Sequence, residues 1–133
     1  MIAAVAVMAE RAESREDGKL DLYGIHNCRY VESFPAKLSL TLAIRFDIEP
    51  LDFGVVQNIA VRVVDEDHAE LVALRASPLN FGSNHPPGQP LAYDMIVPIT
   101  FGFPREGTFT FEIRVNDRTV ARVPLRVEIT PAR

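Results

Sequence analysis

Residues 103–129 read FPREGTFTFEIRVNDRTVARVPLRVEI, and this stretch decides the fold class. Phe109, Phe111, Ile113 and Val115 alternate with Thr110, Glu112 and Arg114. Apolar residues at every second position give a strand with one buried face and one wet face. Asn116, Asp117 and Arg118 follow as turn residues, and a second alternating run begins. Pairing Val115 with Thr119 sets Ile113 opposite Ala121, Phe111 opposite Val123 and Phe109 opposite Leu125. On the outer face the same register sets Glu112 opposite Arg122, an opposite-charge pair. The two runs form the closing hairpin of a β-sandwich, the last wall of its domain. Pro124 falls on the outer face, which predicts a free or bulged edge at that point.

The pattern extends backwards through the chain. Between Leu91 and Phe103, residues Tyr93, Met95, Val97, Ile99 and Phe101 share a face. Pro98 lies on the other face and lacks a ladder donor, so this strand is expected at an edge or bulged. Lys37 to Asp47 alternates cleanly through Leu38, Leu40, Leu42, Ile44 and Phe46. Strands over 55–65 and 70–77 are joined by the acidic turn DEDH. Pairing Asp65 with Glu70 places Val63 opposite Val72 and Val61 opposite Leu74. Lys19 to Val31 reads as one long strand bent or bulged at Gly24. Residues 2–9 are rich in Ala and Val and suit a strand buried on both faces. Residues 10–18, ERAESREDG, read as a charged loop. Residues 78–90, PLNFGSNHPPGQP, hold four prolines and two glycines, which blocks regular pairing. About eight short strands without a long helix predict an all-β, antiparallel, immunoglobulin-like sandwich with Greek-key connections. Residues 1–133 are read as one domain.

The bulk numbers exclude several classes. With 47% hydrophobic and 24% charged residues, the chain is ordinary for a globular protein. A formal net charge of −4 gives no global basic field for nucleic acid or an anionic membrane. The single cysteine, Cys28, allows no internal disulfide and favours a reducing compartment. The apolar start MIAAVAVMAE lacks a preceding basic residue, which argues against a signal peptide. It is also shorter than the roughly 20 residues a membrane-spanning helix needs. A cytoplasmic protein is expected.

The corner FPREGTFTFEI, residues 103–113, resembles the turn into the penultimate strand of immunoglobulin-like domains. There a glycine and an aromatic residue place the strand beneath the opposite sheet. Phe109 holds the place where many such domains have a tyrosine, so the resemblance implies a corner without that hydroxyl's hydrogen bond. Together, GKLDLYGIHNCRYVESFPAKLSLTLAIRF and PREGTFTFEIRVNDRTVARVPLRV resemble a family of small uncharacterised bacterial proteins. The resemblance implies a cytoplasmic, single-domain sandwich, and it implies no catalytic residues and no activity.

Candidate sites are sparse. His26, Cys28 and Tyr30 share a strand face if Gly24 is the only irregularity. Two potential zinc ligands fall short of a tetrahedral set, so a half-buried polar row is the plainer reading. Asp65, Glu66, Asp67 and His68 form an acidic turn; adjacent carboxylates cannot all converge on one calcium ion. No GxSxG, HExxH or Gly-rich phosphate loop occurs. No catalytic, cofactor or metal residue is assigned. Arg45, Arg62, Arg114, Arg122 and Arg126 point outward, interleaved with Asp47, Glu112 and Glu128, which suits a solvated mixed-charge face. The loop 78–90 is the best binding candidate, through Phe81, Asn84 and His85. The chain is therefore expected to be a non-enzymatic interaction or assembly module, meeting a protein partner or a second copy as a homo-oligomer. The motive is the two-faced apolar N-terminal strand together with the proline-marked edges, because exposed strand edges must be paired, covered or blunted. A small-ligand or carbohydrate binder using the loop 78–90 is the alternative.

Overall fold

The alternation becomes two sheets in the computed structural model, which describes residues 1–76, 78–82, 88 and 91–131. Nine strands occur among these residues: β1 (Ile2–Ser14), β2 (Leu20–Ile25), β3 (Cys28–Val31), β4 (Ala36–Ile48), β5 (Ile59–Val64), β6 (Glu70–Arg75), β7 (Leu91–Phe103), β8 (Gly107–Val115) and β9 (Arg118–Ile129). A 3-10 turn spans Pro50–Asp52. One sheet has the order β2-β1-β4-β7 and is antiparallel throughout. The other has the order β3-β9-β8-β5-β6. It is mixed, because β3 runs parallel to β9, so the expectation of purely antiparallel pairing is corrected.

The two sheets share one apolar core. Met8, Leu42, Ile44 and Phe46 of the first sheet are at most 1% exposed, as are Val63, Phe109, Phe111 and Ile113 of the second. Phe109 packs edge-on against Phe103 with ring centroids 4.9 Å apart. The ring packs without the hydroxyl that a tyrosine would have to satisfy.

The closing hairpin keeps the expected pairs Phe109–Leu125, Phe111–Val123, Glu112–Arg122 and Ile113–Ala121. Its turn is tighter than the three residues expected. Val115 lies opposite Arg118, and only Asn116 and Asp117 form the loop, at φ 49° and 66°. Two successive left-handed residues make the type I′ geometry whose twist matches that of the flanking strands. The extra residue, Val120, is absorbed in a bulge. Similarly, Val61–Leu74 and Val63–Val72 pair as expected, but a bulge sets Glu70 opposite Val64 rather than Asp65.

Three further expectations are corrected. The charged segment 10–18 is not all loop, because β1 continues to Ser14 and pairs with β2. Both faces are largely wet there, so backbone pairing carries the strand without a hydrophobic alternation. Only Met8 and Ala9 of β1 are fully buried, so that strand is not buried on both faces. The long strand over 19–31 is two strands in different sheets. Gly24 sits at φ +64°, and a Cβ there would come within 2.6 Å of Glu10 Cδ. The chain then changes sheets at His26 and Asn27. The His26 N–H donates to Met8 O of the first sheet at 3.0 Å, and Asn27 O accepts from Arg126 N of the second at 2.8 Å. β7 is an edge strand, as Pro98 predicts, and its ladder with β4 runs unbroken through the Thr41–Pro98 pair. Pro124 lies beyond the end of the β3–β9 pairing, where that side of β9 has no ladder neighbour.

Candidate functional site

One end of the molecule gathers the start of β1, the loop after β4, the described part of the loop after β6, and the β8–β9 turn. The loop after β4 begins Glu49-Pro50-Leu51-Asp52-Phe53-Gly54. Proline is preset for the first position of a helical turn, and the chain makes one 3-10 turn there. Asp52 is buried at 8% exposure. Its Oδ2 accepts from Glu49 N at 2.7 Å, and its Oδ1 accepts from the Met1 ammonium at 2.8 Å.

Gln57 continues this frame at 3% exposure. Its Nε2 donates to Asp52 O at 3.2 Å, and its Oε1 accepts from Asn116 Nδ2 at 3.1 Å. Asn116 Oδ1 in turn accepts from Asn58 N at 2.9 Å. Buried polar groups joined in this way rigidify the backbone they link. The loop after β6 is zipped onto the same frame. Gln57 and Leu79 exchange backbone bonds of 2.8 and 2.9 Å, and Gly54 N donates to Gly82 O at 2.6 Å.

The frame presents apolar side chains to water. Leu51 is 89% exposed, Ile2 56%, Val56 49% and Val55 48%. Beside Leu51 lies an open groove of about 440 Å³. Ile2, Leu51, Val55, Val115, Arg118 and Val120 are among the residues that line it. Single exposed apolar residues are normal, whereas several together at one end mark a contact surface.

The expected binding residues fall differently. Phe81 is half-buried, with its ring 6.1 Å from Phe53 and 5.7 Å from Tyr93, so it braces the loop end from within. Asn84 and His85 lie outside the described residues. His26 sits in the crossover between sheets rather than beside Cys28, and its Nδ1 is 3.0 Å from Gly24 O. Cys28 and Tyr30 do share the outer face of β3. A side-chain hydrogen bond with Cys28, then its charge and that of Glu128, pushes the Tyr30 phenol above its usual pKa.

The acidic turn is committed to structure. Asp65 Oδ1 accepts from Asp67 N and Ala69 N at 2.9 Å each, and Oδ2 accepts from Arg105 at 3.0 Å. The Ala69 bond first, then Arg105, holds its carboxyl below the usual carboxylate range despite an opposing desolvation. Glu66 Oε1 accepts from Thr108 N at 2.7 Å and Arg126 at 3.2 Å. Gly107 sits at φ +157°, a conformation that strains any residue with a Cβ, and the Glu66 oxygen lies 3.2 Å from where that Cβ would stand. On the outer sheet face, Glu112 joins Arg62 at 2.8 Å and Arg122 at 3.3 Å. Arg45 joins Asp94 at 2.7 Å on the other sheet. Among the described residues, no three His, Cys, Asp or Glu side chains gather as a metal set. No helix among them is long and apolar enough to cross a membrane.

Fold and site together define an all-β, two-sheet protein with a rigid, apolar-tipped loop end. The chain belongs to DUF6941, a family of unknown function, which it matches over residues 4–128. No curated protein matches the chain.

Sequence reasoning missed Leu51, Val55, Asp52 and Gln57. The usable signal was Pro50-Leu51-Asp52, a turn sequence with a large apolar residue at its middle, just where the alternation of β4 stops.

Proposed function

We propose that this protein is a non-enzymatic interaction module that meets a protein partner through its loop end. Leu51 carries the reading: it is 89% exposed on a turn fixed by the buried Asp52. A preorganised apolar side chain loses little conformational freedom on docking, and fully burying a leucine contributes about 1.5–3 kcal/mol. Ile2 and Val55, both exposed, line the same groove as Leu51.

The strand edges support the same choice by being poor templates. β3 has four residues, and β2 has six with a left-handed Gly24. β6 has six residues, a bulge in its pairing, and Glu70 and Arg75 at its ends. β7 carries Pro98 at mid-strand. Short strands, bulges, charges and proline are the devices that blunt edges. Contact through loops is the route these edges leave open.

We read the scaffold as immunoglobulin-like with Greek-key crossings. The order β9-β8-β5-β6 follows that of strands G, F, C and C′ in such domains, and adjacent β4 and β7 stand for B and E. On that scheme the contact end corresponds to the end where variable domains bind. The half-buried free Cys28 supports a cytoplasmic setting.

The test is site-specific photo-crosslinking in cells of the source organism, with the probe at position 51 and a control probe at Ala73. Protein adducts from position 51 that vanish on Val55→Asp are expected. Equal adduct yields from both positions would overturn the reading.

A further inference from the structure

We infer that the loop end pairs with a second copy of this chain about a two-fold axis, with Leu51 of each copy entering the groove of the other. The inference rests on the loop end being a protein-contact surface and names its occupant. A two-fold interface uses the same patch twice, so that patch must be complementary to itself. This one carries both halves of a fit. Leu51 projects at 89% exposure, and beside it lies the groove of about 440 Å³ lined by Val115 and Val120.

The rim charges are complementary in the same sense. Glu49, from the loop after β4, and Arg118, at the start of β9, both line the groove. Both are exposed, and neither forms an ion pair within the chain among the described residues. A two-fold axis running along the groove, with the loop after β4 and the start of β9 as its two walls, sets each wall against the opposite wall of the other copy. Glu49 then faces the second copy's Arg118, and Arg118 faces its Glu49. Such rim pairs fix register and exclude mismatched partners more than they add affinity. An unrelated apolar partner would need no such reciprocity.

Sedimentation velocity on the full chain, from about 1 to about 200 µM, reads the equilibrium directly. A monomer–dimer transition is expected, with Leu51→Asp weakening it by at least about tenfold. Glu49→Arg and Arg118→Glu are each expected to weaken it, since each sets like charges face to face. An equimolar mixture of these two variants restores both pairs and is expected to form a heterodimer. Circular dichroism and thermal unfolding confirm that every variant is folded. A wild-type chain monomeric at about 200 µM overturns the inference, as does a dimer indifferent to Leu51→Asp or a mixture that fails to associate. Crosslinks from position 51 to a different protein, with no dimer, would leave the interaction reading standing and remove this one. Absence of both adducts and dimer removes both.

Discussion

Glu112 shows what a single side chain contributes here. It lies on the outer face of the five-stranded sheet yet is only 7% exposed, covered by Arg62 and Arg122. Burial pushes its carboxyl upward, but hydrogen bonds and charge from Arg62, then Arg122, outweigh this and leave it below the usual range. Glu112→Gln leaves two guanidinium groups without their shared anion, at an expected cost of about 1–3 kcal/mol. Chemical denaturation checks it; a shift under about 0.3 kcal/mol would show that solvent already supports the arginines. Asp65 and Asp94 are also held below their usual range, by Ala69 N and Arg105 for the first and Arg45 for the second. All three carboxyls hold protons less tightly in the folded chain than in the unfolded one. Their contribution is full above the unfolded values of about 4 and is lost as pH falls through the lower folded values. Denaturant midpoints should be flat with respect to these groups between about pH 5 and 7 and fall below about pH 4, less steeply in Glu112→Gln.

Elements were legible where burial imposes alternation. The central pairs of the closing hairpin follow from matching Phe111 with Val123 and Glu112 with Arg122, and the structure has those pairs. The turn was less legible, because NDR suits both a three-residue loop and a two-residue loop with a bulge. Backbone twist decides for the latter, with Asn116 and Asp117 both left-handed. Asp117→Gly should then stabilise the protein by about 0.5–1 kcal/mol, since glycine enters that region without steric cost. A lower melting temperature would contradict the type I′ geometry. The tail of β1 was illegible for the opposite reason: Glu10 to Ser14 has no buried face to impose a period. On β7 the unbroken ladder requires the nitrogen of Pro98 to face away from β4, toward the open edge. Pro98→Thr restores an outward donor there. Light scattering on heating should show earlier aggregation of this variant at unchanged melting temperature; identical onset would mean the edge is protected by other means.

At the scale of the whole molecule, the site was hidden because it is an absence of pattern. Leu51 belongs to no alternating run, and Val55, expected to open a strand over 55–65, lies before β5, which begins only at Ile59; the convergence of three loops and β1 places them together. Phe81 was visible as an aromatic in an irregular loop, but sequence does not say that Phe53 and Tyr93 would enclose it. The split of residues 19–31 between sheets was equally hidden, since β2 and β3 each obey the rules of a strand.

That split has a consequence in time. Val31 O accepts from Thr130 across 99 residues of chain, and the β3–β9 ladder joins residues just as remote. Such distant partners close slowly, because the loop entropy must be overcome before the contacts form. On the ribosome, β3 is made early, and it has no partner until β9 emerges. During that interval Val31, buried in the finished fold, lies on an open edge. The shortest of the described strands thus marks the period in the protein's synthesis when it is most open to chaperones and to misassembly.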